Sequence, residues 1–197
     1  MTDDRVRVEV ESAQAWRDWL AANHATSPGA WLVTWKKHTG RPAPGYDEAV
    51  TEALAFGWVD SLGARLDDDR TMLWFSPRRP GSAWSRPNKV RVARLEEEGR
   101  MAAAGRRAVE VAKANGAWVL LDEVEDLVVP ADLAAAFAAR PGAAEHWDAF
   151  PRSARRGILE WIMQAKRPPT RERRIEETAA AAARGERAHQ QKPRPTA

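Results

Sequence analysis

The stretch WVDSLGARLDDDRTMLWFS, residues 58–76, decides the fold of this 197-residue chain. Residues 58–66 and 71–76 are rich in aromatic and branched side chains, which is typical of β-strands. The polar residues 67–70 between them predict a four-residue turn. We therefore expect these two strands to pair as a hairpin.

Two further strands and two helices are predicted on the N-terminal side of this hairpin. The alternating residues 6–10 and the aromatic-rich residues 30–37 predict the strands. Ser12 is placed to cap the first helix, and residues 46–56 predict a second, amphipathic helix that Gly57 ends. The sequence thus predicts a small antiparallel sheet of three to four strands with packed helices.

The chain beyond the hairpin is predicted to be almost entirely helical. Residues 86–98 and 102–115 predict a helical hairpin, and the acidic and apolar residues 118–129 predict an extended crossing segment. Past Pro130 the pattern predicts four helices, at residues 131–139, 142–150, 151–166, and from a Thr170 cap to residue 184. The expected fold class is α+β, followed by an all-helical C-terminal region.

This order of elements predicts three parts of the chain. They are an α+β domain at residues 1–120, a helical region at residues 130–184 and a disordered polar tail at residues 185–197. The absence of cysteine excludes disulfides, thiolate catalysis and cysteine-ligated zinc. Residues 1–12 hold no apolar segment of a secretory signal, and no apolar run approaches the roughly 20 residues of a membrane helix. We therefore expect a cytoplasmic protein without a membrane span.

The positive charge of the chain is concentrated at its C-terminal end. Residues 164–197 carry nine basic and four acidic side chains, a balance of +5, while the whole chain carries +3. The remainder is therefore 3 − 5 = −2. Such a balance permits weak attraction to polyanions but lacks the strong basic footprint of a nucleic-acid binder. Nucleic acid is disfavoured as a partner but kept as an alternative.

Five segments of the chain together resemble one known family. They are YDEAVTEALAFGWVDS (46–61), WFSPRRPGSAWSRPN (74–88), RLEEEGRMAAAG (94–105), AKANGAW (112–118) and SARRGILEWIMQAKRPPTRERRI (153–175). In this order they resemble the bacterial YdeI/OmpD-associated (OmdA) family, also called the bacteriocin-protection family. The resemblance implies an α+β fold and a link to stress or to resistance against antimicrobial peptides. It brings no catalytic residues with it.

The strongest candidate site lies in SPRRPGSAWSRPNK, residues 76–89. From Arg78 to Arg94 the chain has six basic side chains and no acid. A helix N-terminus at Ser85 would attract anions, an arginine pair can grip a phosphate or carboxylate, and a tryptophan can stack on a planar group. We therefore predict a pocket for a small anionic, nucleotide-like ligand. Its candidate ligand-binding residues are Lys36, Trp58, Asp60, Arg78, Arg79, Ser82, Trp84, Ser85, Asn88 and Lys89.

A structural alternative exists for the same residues. Ser85 could simply cap a helix over Trp84, while the arginines pair with the acids at residues 67–69 and 96–98. In that case the cluster would hold the hairpin to the helices rather than a ligand.

Two other functional hypotheses remain open at this stage. In the first, an enzyme uses Asp60 or Glu48 as its acid–base group, with Asp47 and Glu52 on the same helix as Glu48. In the second, the basic C-terminal helix binds a protein partner or nucleic acid. The structural alternatives are a solvated helix face for the acids of the second helix and a charged, exposed helix for the C-terminal one. For Asp60 the structural alternative is a salt bridge to a partner such as Arg78 or Lys36. The four histidines are scattered without helical pairing, so we predict no metal and no cofactor, and the sequence assigns no catalytic residue.

Overall fold

The computed structural model describes residues 5–189 of the chain. These residues form two compact units, divided between Leu120 and Leu121. The first unit holds a sheet with packed helices, and the second is helical. The predicted α+β class with a helical C-terminal region is therefore confirmed.

The sheet of the first unit has four strands in the part of the chain described. They are β1 (Arg7–Glu9), β2 (Ala30–Trp35), β3 (Trp58–Arg65) and β4 (Arg70–Pro77), in the spatial order β1-β2-β4-β3. The hairpin of β3 and β4 forms as predicted, and β2 pairs antiparallel with β4. In contrast to the expected antiparallel sheet, β1 pairs in parallel with β2. The helix between these two strands makes the crossover that a parallel pair requires.

Four α-helices belong to the same unit, at α1 (Ala13–Asn23), α2 (Tyr46–Ala55), α3 (Arg86–Glu97) and α4 (Ala103–Ala114). A single 3-10 turn at Lys37–Thr39 follows β2. The Ser12 hydroxyl accepts a hydrogen bond from the Ala15 N–H at 3.1 Å, which confirms the predicted cap of α1. This bond satisfies one of the N–H groups that a helix leaves unpaired in its first turn.

The core of this unit is built around buried tryptophans. Trp16, Trp58 and Trp84 are each at most 1% exposed and belong to one apolar cluster with side chains of the sheet and the helices. The Trp16 indole N–H donates to the Ala49 carbonyl at 3.2 Å, so its burial leaves no unpaired donor. Trp31 and Trp147 are buried as well, so half of the ten tryptophans of the chain are buried.

Helix α4 is fastened to the connection between α2 and β3 by backbone contacts. The Ala102 N–H donates to the Ala55 carbonyl oxygen at 3.0 Å. A Cβ at Gly105 would lie 2.3 Å from that same oxygen, so only glycine permits this approach. Gly57 has a φ of +75°, and a Cβ there would lie 3.1 Å from the Ala104 carbonyl oxygen. These contacts fix the spacing between α4 and the start of β3.

The second unit contains five helices among the described residues, at α5 (Asp122–Glu125), α6 (Ala131–Ala138), α7 (Ala143–Ala149), α8 (Arg152–Met163) and α9 (Pro168–Ala183). Helix α9 packs against α6, α7 and α8. Its small side chains Thr178, Ala179 and Ala182 are buried, which allows close approach of the neighbouring helices. The alanine-rich stretch is therefore a packing surface as well as a good helix former.

Two expectations for the later part of the chain were wrong. The segment 118–129 is not extended, because its N–H groups bond to carbonyls three to six residues earlier, as in Trp118 to Ala112 and Glu125 to Leu121. Helix α9 begins at Pro168 rather than after a Thr170 cap, since proline fits the first turn of a helix. Residues 190–197 of the predicted disordered tail lie outside the described residues. Within residues 5–189, no helix is both long and apolar enough to cross a bilayer.

Candidate anion-binding pocket

A pocket of about 390 Å³ lies beside Trp84 in the first unit. Small-molecule sites in proteins typically have volumes of roughly 300–1,000 Å³, so this one has room for a small ligand. Its fourteen lining residues are His24, Ala25, Phe56, Gly57, Trp58, Pro77, Arg78, Arg79, Pro80, Trp84, Ala104, Arg107, Ala108 and Val111.

Four parts of the fold supply the walls of the pocket. The end of α1, the α2–β3 connection and the segment that leads from β4 to α3 each contribute neighbouring residues. Helix α4 contributes one face, because its lining residues are spaced three, one and three positions apart: Ala104, Arg107, Ala108 and Val111. The backbone contacts at Gly57 and Gly105 hold this face against the start of β3.

Arg78 is the most constrained cation of the pocket. Its guanidinium carbon lies 4.0 Å from the ring centroid of Trp84, and its Nη1 donates to the Ala83 carbonyl at 2.9 Å. Its backbone N–H donates to the Gly57 carbonyl, also at 2.9 Å. Its Nε is buried and finds no hydrogen-bond acceptor in the described part of the chain. The side chain is therefore held in place with part of its donor capacity unused.

The charge of Arg78 is poorly compensated. Desolvation by burial lowers the pKa of Arg78 to about 10, against the opposing influence of the Asp60 carboxylate. The group is still protonated at neutral pH. Within residues 5–189 it forms no ion pair, whereas the buried Glu52 pairs with both Arg17 and Arg100. Burying a charge without a partner is costly, so Arg78 is electrostatically suited to an incoming anion.

Two more guanidinium groups line the same pocket from different elements. Arg79 follows β4, and Arg107 projects from α4; both residues are exposed. Neither side chain has a hydrogen bond or an ion pair within the described chain. No Asp or Glu occurs among the described residues that line the pocket. The pocket thus gathers three positive charges and no negative charge.

The rest of the lining is aromatic or apolar. The Trp58 indole N–H donates to the His24 carbonyl at 3.3 Å, and the His24 ring packs on Phe56 with centroids 5.0 Å apart. The buried Trp84 packs on Trp118 at 5.1 Å, and its indole N–H has no acceptor in the described chain. The arrangement combines an apolar floor with cationic groups.

Four of the ten residues predicted from the sequence line this pocket: Trp58, Arg78, Arg79 and Trp84. The structure places Lys36 elsewhere, where its ammonium donates to the carbonyls of Asp67 and Asp68 at 2.8 and 2.9 Å and so holds the β3–β4 turn. Asp60 accepts a hydrogen bond from the Tyr46 hydroxyl at 2.8 Å, and burial, followed by this bond, raises the pKa of Tyr46.

The other four predicted residues serve the loop and helix α3. The backbone N–H of Ser82 closes a turn onto Arg79. Ser85 does precede α3, but its hydroxyl makes no capping bond, and Ser85 does not line this pocket. Asn88 accepts from Arg91 at 2.8 Å, and the Lys89 ammonium lies 5.4 Å from the ring centroid of Trp118.

The carboxylates considered for acid–base chemistry have structural partners. Glu48 accepts the Gly45 N–H at 2.7 Å and closes the first turn of α2. Asp47 pairs with Arg91, and Glu52 is buried between Arg17 and Arg100. Over the described residues no cluster of three histidine or acidic side chains could hold a metal ion. This geometry offers no support for acid–base catalysis by Glu48.

The basic C-terminal helix is likewise engaged within its own unit. Arg171 pairs with Asp132 at 2.7 Å, and Arg140 pairs with Glu176. The Arg174 guanidinium lies over Trp161, 4.9 Å from its ring centroid. These contacts favour the structural interpretation of α9.

The sequence-based prediction missed Arg107, Phe56 and Val111. Arg107 and Val111 share the α4 face with Ala104 and Ala108, but a mixed face of small, charged and branched residues is also typical of an ordinary solvent boundary. Phe56 follows α2 and was assigned to its apolar side. The lining face of α4 is identified by the close approach of Gly105 to the Ala55 carbonyl oxygen. That approach depends on how the helices pack, so the sequence alone does not show it.

Two family models match different parts of the chain. Residues 8–108 match a domain of unknown function, DUF8412, and residues 126–185 match the family described as Bacteriocin-protection, YdeI or OmpD-Associated (OmdA). The second match confirms the OmdA resemblance in the C-terminal region, whereas segments 46–61, 74–88 and 94–105 fall within the first. Comparison with curated proteins found no match to this chain, and comparison with solved structures found none either.

Proposed function

Because this chain belongs to the DUF8412 family through residues 8–108, and thirteen of the fourteen pocket residues fall in that range, we propose that this domain binds a small organic anion. The ligand is nucleotide-like in the limited sense that it combines a flat or apolar body with a phosphate or carboxylate. The observation that carries the proposal is the meeting of Arg78, Arg79 and Arg107 in one pocket whose lining has no acidic side chain.

The energetics of charge support an anion over a cation or a neutral ligand. An arginine that gains a charge-assisted hydrogen bond contributes roughly 1.5–3 kcal/mol, about twice a neutral bond. Arg79 and Arg107 can form such bonds without first breaking an ion pair within the described chain. A bound anion also compensates the charge of Arg78, whose pKa burial lowers to about 10.

The wider role is proposed from the second match. The family name links OmdA proteins to bacteriocin protection, and the matched segment lies outside the pocket. We infer a role in stress or antimicrobial-peptide resistance, in the cytoplasm, in which the C-terminal region and the ligand-binding domain have separate tasks.

Isothermal titration of the full chain with a panel of nucleotides, phosphates and carboxylates tests the proposal. At least one anion is expected to bind. The double substitution Arg79→Gln with Arg107→Gln is expected to weaken the binding of that anion by about 10- to 100-fold. The matched control is Arg7→Gln with Lys37→Gln, which removes two exposed charges outside the pocket. Equal weakening in the control, or no binding of any anion, would overturn the proposal.

A further inference from the structure

The polar groups of the pocket are almost all hydrogen-bond donors. Three guanidiniums and two indoles can only donate, and the lining contains no carboxylate, amide or hydroxyl side chain. His24 is the exception. Its Nδ1 lies 2.8 Å from the Leu20 carbonyl, which can only accept, so Nδ1 carries the proton and Nε2 can accept in the neutral ring. The side chains therefore offer one acceptor at most.

This imbalance matters for ligands that carry hydroxyl groups. A sugar or a ribose presents several O–H donors, and each donor that loses water without finding an acceptor reduces affinity. Sites that recognise such groups normally supply acidic or amide side chains to them. The side chains of the described lining supply no such group, so a hydroxyl-rich body would gain fewer hydrogen bonds here than in such a site.

The apolar part of the lining favours a different body. Phe56 is buried and Val111 is 39% exposed. Besides Arg107, the lining face of α4 presents the methyl groups of Ala104 and Ala108. Burial of a hydrocarbon group against such a surface is favourable and requires no hydrogen bond. The surface is shaped for a ring or a branched chain rather than for a polyol.

The charges indicate what the head of the ligand must be. Arg79 and Arg107 have no compensating acid in the described chain, and Asp60 offsets Arg78 only in part. A dianion balances this excess better than a single carboxylate does. The head groups compatible with the donors are phosphate and carboxylate, of which the phosphate monoester neutralises more charge.

From these three observations we propose that the pocket selects a hydroxyl-poor organic anion, with an aromatic or branched hydrocarbon body and a phosphate monoester as the preferred head. This inference rests on the proposed function and narrows it, because it places aryl phosphates ahead of sugar phosphates and nucleotides. It assigns the body to apolar side chains of the lining, Phe56 and Val111 among them, and the head to Arg79 and Arg107.

The test titrates the full chain with four matched probes: phenyl phosphate, benzoate, glucose 6-phosphate and inorganic phosphate. Phenyl phosphate is expected to bind about 10- to 100-fold more tightly than glucose 6-phosphate or inorganic phosphate, which is the factor expected for burying a ring. It is also expected to bind more tightly than benzoate. If glucose 6-phosphate binds as tightly as phenyl phosphate, this inference is overturned and the proposed function remains intact. If none of the four probes binds and no anion of the wider panel binds either, the proposed function and this inference are both overturned.

A second variant separates the body from the head. Val111→Ser changes a partly exposed side chain, so the fold is expected to tolerate it. It should weaken the binding of phenyl phosphate by about fivefold and leave the affinity for inorganic phosphate unchanged. Equal effects on the affinities for the two probes, or no effect on that for phenyl phosphate, would contradict the assignment of the hydrocarbon body to a contact with Val111.

Discussion

The guanidinium of Arg78 lies over the ring of Trp84 at 4.0 Å, and no ion pair within the described residues accompanies this stacking. The pair combines a costly feature, a partly buried charge, with a favourable one, a cation on the face of an indole. Proteins often keep such local costs where a ligand later offsets them. The pair therefore provides the first test of whether this charge is kept for stability or for binding.

Replacing Arg78 by methionine should separate stability from binding. Methionine keeps an unbranched stem against Trp84 and removes the partly buried charge, at the loss of the bond to Ala83. We expect the free energy of unfolding to stay within about 1 kcal/mol of the parent, while anion affinity falls by about tenfold or more. Urea unfolding and calorimetric titration measure the two effects. A loss of several kcal/mol of stability with unchanged affinity would assign Arg78 a structural role.

Glu52 provides the opposite case of a buried charge that is fully paired. Its side chain is 5% exposed, and it accepts hydrogen bonds from Arg17 at 2.7 Å and from Arg100. Glu52→Gln leaves two arginines facing a neutral amide, so we expect a loss of about 3–5 kcal/mol in the free energy of unfolding. As a control, Glu97→Gln replaces an exposed side chain of α3 and should change the free energy of unfolding by less than about 0.5 kcal/mol. Similar small effects at both positions would show that the ion pairs of Glu52 with Arg17 and Arg100 do not stabilise the fold.

Two helical glycines make a matched pair for the packing of α4. A Cβ at Gly105 would lie 2.3 Å from the Ala55 carbonyl oxygen, whereas a Cβ at Gly157 in α8 would meet nothing within 4 Å. We expect Gly105→Ala to lower the melting temperature, because backbone would have to move. Gly157→Ala should raise stability by about 0.5–1 kcal/mol through helix propensity. Thermal unfolding by circular dichroism measures both, and a neutral Gly105→Ala would mean that α4 can shift freely.

The lowered pKa of Arg78 predicts a pH dependence of binding. Burial lowers the pKa of Arg78 to about 10, so the free protein loses this charge as the pH rises through that value. Anion binding prefers the protonated form, and affinity should therefore be constant from about pH 8 to 9 and fall towards pH 10.5. The Arg78→Met variant should lack this fall over the same range, as followed by titration calorimetry. A fall of equal size in that variant would place its origin elsewhere.

Local sequence patterns were enough to predict most of the fold. The β3–β4 hairpin, the Ser12 cap and α2 each depend on residues close together in the chain, and each forms as expected. The direction of β1 does not depend on local residues, because pairing in parallel or antiparallel is decided by the path of α1 across the sheet. The segment 118–129 was misassigned since apolar and acidic residues suit both a strand and a series of tight turns.

The site was predictable in part for a related reason. Arg78, Arg79 and Trp84 are neighbours in the sequence, so their density of charge and aromatic surface was visible directly. Arg107 comes from a separate helix, and only the close approach at Gly57 and Gly105 brings it to the same pocket. Lys36 was expected there, but its ammonium instead donates to the backbone carbonyls of Asp67 and Asp68 in the hairpin turn.

The glycine-mediated contact between α4 and the α2–β3 connection also has a kinetic consequence. Because the Ala102–Ala55 hydrogen bond and the close approach at Gly105 hold α4 against the α2–β3 connection, we expect the proposed ligand to enter without a slow rearrangement. The association rate should then be set by diffusion and by long-range attraction to Arg79 and Arg107, and should decrease as salt is added. The residence time should instead follow the hydrocarbon contacts with Phe56 and Val111. For the proposed ligand, we therefore expect the association rate and the residence time to depend on two different sets of side chains.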